Sequence, residues 1–274
     1  DQIYRNIFNR HAGLHIRCVK GEQPTVCNGT PGAPCDDGDP NTFNDVYDDM
    51  GCACLGSDAV ELDGSGPCEG EASINYHGHD YLLVEIGDQC WFRENLQTTQ
   101  YANGDSIPTN LNDEEWFETL DGAISIYWNE SGLEEVLYNW FAATDSRQIC
   151  PSGWGVPSTE DFSVLEVQLG MSTTAAYSWS LGWRGVDEGT ELKRNSLSFP
   201  DWEGNNLSGF SALPVGRRHP SGTFEFEGVK TIFWTTTPVG PHAFFRALRS
   251  ADGLIQLNTD HRTTGNSIRC IKQN

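Results

Sequence analysis

The chain contains no apolar run approaching the roughly 20 residues that a membrane-spanning helix requires, and only 2 of its 274 residues are methionine. Basic residues are scarce as well: 17 lysines and arginines stand against 39 aspartates and glutamates, for a formal net charge of −22. A surface this acidic repels nucleic-acid phosphates and anionic head groups, so neither nucleic acid nor a membrane span is expected. Simple solvation and divalent-cation binding both account for the acidity. No nucleophile elbow, phosphate-cradling glycine loop or Cys/His catalytic signature occurs, and the chain is expected not to be an enzyme. No export signal precedes Asp1, which reads as a signal removed or lying upstream.

What the sequence does hold is 29 glycines, 13 prolines and 9 tryptophans. Turn-rich, aromatic-rich chains of this kind form irregular β or α+β structures, and the length allows one large domain and a small one. Nine cysteines indicate an oxidising compartment or a metal site. Zinc fits poorly, because Cys52 and Cys54 are one residue apart rather than the usual two to four, and no histidine pair follows. Disulfides and a secreted, cell-surface location are therefore expected.

Three regions are distinguishable. Residues 1–20 end in a strand-like stretch, Leu14 to Lys20. Residues 21–70 are rich in Cys, Gly, Pro and Asp and too poor in apolar residues to form a core, so disulfides or metal must order them. Residues 71–274 carry all nine tryptophans and form the main domain. Within it, 73–76 and 81–86 read as strands about a His77-Gly78-His79-Asp80 turn, and 158–169 reads as a helix capped by Ser158 or Thr159 and ended by Gly170. A shorter helix is expected at 113–120, with strands at 210–215, 231–236, 243–249 and 265–272. One internal match exists: Ile16-Arg17-Cys18-Val19-Lys20 against Ile268-Arg269-Cys270-Ile271-Lys272, each with a glycine upstream, Gly13 and Gly265. It marks residues 1–20 as the tail of a second copy of the main domain.

The sharpest constellation is acidic. Asp37, Asp39, Asn41, Asp45 and Asp48 fall at positions 1, 3, 5, 9 and 12 of an EF-hand-like loop, with the Phe43 carbonyl available at position 7. Calcium takes hard oxygens at this spacing, although Thr42 replaces the usual glycine and Asp48 the longer glutamate. The alternative is an unliganded acidic turn. His77 to Asp80 reads as an exposed hairpin turn before a metal site, and Asp113, Glu114 and Glu115 as helix-start acids before a catalytic pair. Arg217, Arg218 and His219 are expected on a surface loop. Trp179, Trp183 and Trp202 sit in polar, glycine-rich surroundings where a ring either stacks on a sugar or fills the core. Trp202 with Asn205 and Asn206 is the one sugar-site candidate.

Several segments resemble the Fibrobacter succinogenes major paralogous (FISUMP) domain, abundant in secreted proteins of Fibrobacter and marine Bacteroidetes. They are Ile86-Gly87-Asp88-Gln89-Cys90-Trp91 with Glu94-Asn95-Leu96, Tyr101 through Pro108, Tyr138-Asn139-Trp140 and Cys150-Pro151-Ser152-Gly153-Trp154. They continue with Gly189 through Lys193, Ser208 through Pro214, Phe233-Trp234-Thr235-Thr236 and Ser267 through Lys272. The resemblance covers roughly 73–272, with Gly155 standing where the family often has His. Residues 27–56 resemble a cysteine-rich linker found beside such domains. The resemblance implies an α+β fold, C-type-lectin-like or formylglycine-generating-enzyme-like, with short sheets and long loops behind a small disulfide-rich module. It also implies that Cys150 pairs with Cys270. Cys27, Cys35, Cys52 and Cys54 would pair among themselves in an order the sequence does not reveal, and Cys68 with Cys90. Cys18 is left to reach a preceding domain or subunit; the alternative is a terminal strand packed on its own domain with Cys18 unpaired. The expected function is an extracellular structural or adhesive protein, a tandem repeat or a filament subunit that meets copies of itself head to tail through residues 3–20. The alternative is a lectin-like module that binds polysaccharide; fold analogy alone does not choose between them.

Overall fold

The structure, a computed structural model, describes residues 42–47, 54–58, 66–128, 134–195 and 202–273. The chain divides into two compact units, 1–61 and 62–274. In the first unit β1 (Thr42–Tyr47) and β2 (Cys54–Asp58) pair as an antiparallel hairpin with a bulge between Phe43 and Val46.

The second unit runs β3 (Ser73–Tyr76), β4 (His79–Ile86), β5 (Gln89–Phe92), α1 (Asp113–Glu118), β6 (Ile124–Trp128), β7 (Glu134–Tyr138), α2 (Trp140–Ala143) and β8 (Trp154–Gly155). It continues with α3 (Thr159–Gln168), α4 (Thr173–Ala176), β9 (Gly182–Arg184), α5 (Glu188–Leu192), β10 (Val215–Arg218), β11 (Phe224–Glu227), β12 (Lys230–Val239), β13 (His242–Arg249), β14 (Ile255–His261) and β15 (Ile271–Lys272). The outcome is a sheet-rich α+β unit. One sheet has the order β3-β4-β5-β15-β8 and a second the order β11-β10-β12-β13-β14-β9, while β6 and β7 form a separate hairpin. Among the strand pairs of the described residues only β10–β12 is parallel.

Local chemistry explains the elements the sequence announces. His77 and Gly78 both take positive φ, 52° and 84°, the two-residue turn that matches strand twist, and Tyr76 faces His79 across it. The Ser158 hydroxyl accepts from the Asp161 N–H and the Asp161 carboxylate accepts from Ser158, closing a capping box on α3. Gly170, at φ 103°, ends that helix region. The cap of α1 is Asn112, with Asp113, Glu114 and Glu115 in the first turn.

Two apolar clusters sandwich the six-stranded sheet. Along β12 the pleat sends Ile232 and Trp234 to one cluster, with Tyr81, Phe92, Tyr138 and Trp140, and sends Phe233 to the other. There Phe162 and Leu165 of α3 meet Trp91, Phe210 and Leu248. Each such side chain fully removed from water stabilises the fold by about 1.5–3 kcal/mol.

The second compact unit begins at residue 62, and Cys68 is bonded to Cys90 within it. Two strand expectations are corrected. The strand expected at 210–215 starts only at Val215. The strand expected at 265–272 shrinks to Ile271–Lys272, because 265–267 make single bridges to three different partners: Gly265 to Arg218, Asn266 to Tyr138 and Ser267 to Phe233.

Candidate functional site

That tail is the structural centre of the domain. Arg269 is fully buried, and its guanidinium donates to the carbonyls of Phe92 at 3.2 Å, Arg93 at 2.6 Å and Phe210, and to Asn95 Oδ1 at 2.8 Å. Its plane lies over the rings of Phe210 and Phe233. Among the described residues no carboxylate forms a close ion pair with it. Burial pulls its pKa down to about 9, and the charges of Glu94 and Glu135 oppose that pull. Next along the chain, Cys270 is bonded to Cys150, and β15 then enters the five-stranded sheet between β5 and β8.

Arg269 contributes to the lining of a cleft of about 710 Å³. Its lining also includes the β3–β4 turn at 77–79, residues of the segment 93–97 after β5, Glu134 and Glu135 of β7, and Arg194, Ser211 and Leu213. Several groups are fixed by the backbone around them. Glu94 Oε2 accepts from Leu82 N–H at 2.9 Å, Arg93 Nε donates to the Gly209 carbonyl at 3.2 Å, and Gln97 Nε2 donates to Glu135 Oε2 at 3.5 Å. His77 Nδ1 shares a hydrogen bond with Thr98 Oγ1 at 2.6 Å, and desolvation lowers its pKa. The cleft thus presents guanidinium, carboxylate and imidazole groups around two leucines. Such a lining orients a polar ligand by hydrogen bonds and charge.

The structure forms both disulfides of the main unit as expected, Cys68–Cys90 and Cys150–Cys270. Trp202 is a correction. It is buried, not exposed for sugar stacking; its indole N–H donates to the Ala212 carbonyl at 3.0 Å. Asn205 Oδ1 accepts from Leu207 N–H, and Asn206 Oδ1 accepts from Ser211 N–H, so both amides stabilise their own loop. The polar neighbours of Trp202 in sequence turn outward while the ring turns in. Arg217 and Arg218 are also corrected. They lie on β10, Arg217 paired with Glu225 and Asp260 and Arg218 buried over Trp116 with Asp113 as its partner, not on a surface loop.

Of the calcium-loop residues, Phe43 and Asp45 lie on β1, and Asp37, Asp39, Asn41 and Asp48 lie outside the described residues. So do residues 1–20 with Cys18, and Cys27, Cys35 and Cys52; Cys54 begins β2. Among the described residues no cluster of three or more His, Cys, Asp or Glu side chains is arranged to hold a metal ion, and no helix is long and apolar enough to cross a membrane.

Sequence reasoning did not single out Arg93, Arg194 or Arg269 as site residues. One signal pointed to the last: Arg269 is repeated as Arg17 in the internal match. Neither a curated protein nor a solved structure matches the chain. The Fibrobacter succinogenes major domain model does match, over residues 84–272, and the chain belongs to that family.

Proposed function

We propose that the chain is part of an extracellular, non-enzymatic structural or adhesive surface protein built from tandem domains of this family. The observation that carries this reading is an extended internal match. At the same offset of 252 residues, Ile3, Asn6 and Arg10 also coincide with Ile255, Asn258 and Arg262, in addition to Gly13, Ile16, Arg17, Cys18 and Lys20 with Gly265, Ile268, Arg269, Cys270 and Lys272.

The repeated residues are those with structural work in the main unit. Ile255 and Ile268 are buried. Arg262 donates to the Gly240 carbonyl at 2.8 Å and lies over Trp140. A Cβ on Gly265 would meet Trp116 and Arg218 at 3.1 Å. Arg269 and Cys270 anchor the tail. That place is filled here by 255–272, so residues 3–20 suit the closing segment of another domain of the same fold, upstream in a longer polypeptide. A separate identical copy would have to give up its own tail to accept them, which disfavours assembly from free subunits.

The two disulfides of the main unit agree with an extracellular setting. The finer likeness to C-type-lectin-like or formylglycine-generating-enzyme-like folds, and calcium at 37–48, belong to the same proposal. The test is a protein with residues 62–252 fused directly ahead of Asp1. Peptide mapping should find the Cys150 of the first copy bonded to Cys18. A free Cys18 thiol beside an unfolded first copy would rule the tandem reading out.

A further inference from the structure

Among the described residues most basic side chains are paired with acids: Arg147 with Asp145, Arg184 and Arg246 with Glu166, Arg217 with Asp260, Arg218 with Asp113, Arg249 with Asp252 and Lys272 with Glu69. Acids outnumber bases 39 to 17, so a cation without a carboxylate partner is unexpected. Six are in that position. Lys193, Arg262 and Lys230 bond to carbonyl or amide oxygens elsewhere. The other three, Arg93, Arg194 and Arg269, all line the same cleft.

Their surroundings narrow the choice of ligand. Among the described residues, the exposed Arg194 side chain forms no ion pair, and Arg93 has only its Nε committed, to the Gly209 carbonyl. Two guanidinium forks are therefore available, and that geometry matches a carboxylate in a bidentate fashion. Arg269 adds a buried positive charge whose Nε–H has no hydrogen-bond partner among the described residues. Glu94, Glu134, His77 and His79 share the lining and suit hydroxyl groups as acceptors and donors. Leu82, 44% exposed, and Leu213 offer apolar surface to the C–H face of a pyranose. At about 710 Å³ the cleft lies in the range of ligand sites, roughly 300–1,000 Å³.

We propose that this cleft binds a uronate-bearing polysaccharide, with Arg93 and Arg194 holding a sugar carboxylate above Arg269. A neutral glycan would offer the two guanidinium forks no carboxylate to hold in a bidentate fashion. A run of acidic peptide would bring successive carboxylates against Glu94 and Glu134, a like-charge penalty that a ring with one carboxylate and several hydroxyls avoids. The inference does not depend on the tandem-domain reading, because every residue it uses lies within the main unit.

The test is calorimetric titration of the full chain with galacturonate, mannuronate and glucuronate oligomers, beside a methyl-esterified oligomer and an oligoglutamate peptide. At least one uronate oligomer should bind. Esterification should abolish binding, and Arg194→Gln should weaken it by about tenfold, the scale of one charge-assisted hydrogen bond. Arg93→Gln should act in the same direction. Arg194 is exposed, so its variant should keep the wild-type melting temperature and both disulfides. The proposal is overturned if no uronate oligomer binds, if the ester binds as well as the acid, or if Arg194→Gln leaves affinity unchanged. Tighter binding of oligoglutamate than of any uronate would replace the polysaccharide with an acidic peptide.

Discussion

Arg246 donates its Nε–H to Glu166 at 2.5 Å, and both side chains are at most 2% exposed. The other oxygen of Glu166 lies 3.0 Å from Arg184 Nη2. One carboxylate on α3 thus serves two arginines, one from β13 and one from β9, and ties the helix to the six-stranded sheet across its inner strand and its edge. Burial lowers the Arg246 pKa to about 10, with the negative charge of Glu166 opposing the shift.

Glu166→Gln should therefore be severe. It keeps the shape but leaves two arginines without their counter-charge, and breaking a buried pair costs about 3–5 kcal/mol. Replacing Glu166 and Arg246 together by Leu and Met should cost less than the single change, because two desolvated charges disappear with the interaction. Urea denaturation of the three proteins measures the order, and a double variant less stable than Glu166→Gln would contradict it.

The two disulfides should contribute unequally. Cys150–Cys270 spans 120 residues and Cys68–Cys90 spans 22. In the chain-entropy description these loops correspond to about 5 and about 3 kcal/mol. Paired Cys→Ala variants should therefore rank with the Cys150/Cys270 pair as the less stable. The longer bridge also anchors the tail that carries Arg269, which strengthens the expected order. Equal denaturation midpoints would show that native-state effects outweigh loop closure.

Much of the fold is legible locally. Ser158 with Asp161 and Gly170 define α3, and His77-Gly78 defines the first hairpin, because each signal acts within a few residues of itself. The cleft is different. Its lining comes from positions as separate as His77, Arg93, Glu134, Arg194 and Arg269, and no local pattern joins them. Trp202 and Arg218 misled for a related reason. Whether a ring or a guanidinium is buried depends on a distant acceptor, the Ala212 carbonyl or Asp113, not on the polarity of adjacent residues. The tail was visible only as a repeat; its role in bridging three partners emerges from the pairing of Gly265, Asn266 and Ser267.

The loop beyond α2 should govern part of the acid sensitivity. Asp145 accepts from Arg147 Nε and Nη2, and Arg147 lies over the Tyr101 ring. Those hydrogen bonds take the Asp145 pKa down from 3.8 to about 2. A carboxyl whose pKa falls on folding adds stability above its unfolded value and loses it as the pH drops toward the folded one. This contribution is thus present at pH 5 and lost between about pH 4 and pH 2. The Arg147 side chain is 38% exposed, so solvent screening keeps this contribution small. Asp145→Asn should lower the melting temperature by about 2–4 °C at pH 6 and by much less at pH 2. A constant difference across that range would remove Asp145 from the acid response.

The first unit should depend on calcium. A two-stranded hairpin such as β1–β2 is marginal by itself, and the sequence around it supplies few apolar residues but hard oxygens at Asp37, Asp39, Asn41, Asp45 and Asp48. Calcium and disulfides are the two devices that order such a segment. Chelation should make residues 35–54 sensitive to protease while the unit at 62–274, which has its own core and bridges, melts unchanged. Asp37→Asn with Asp39→Asn should reproduce the chelated digestion pattern in the presence of calcium. Identical digestion with calcium and with excess chelator would assign the ordering of this unit to its cysteines alone.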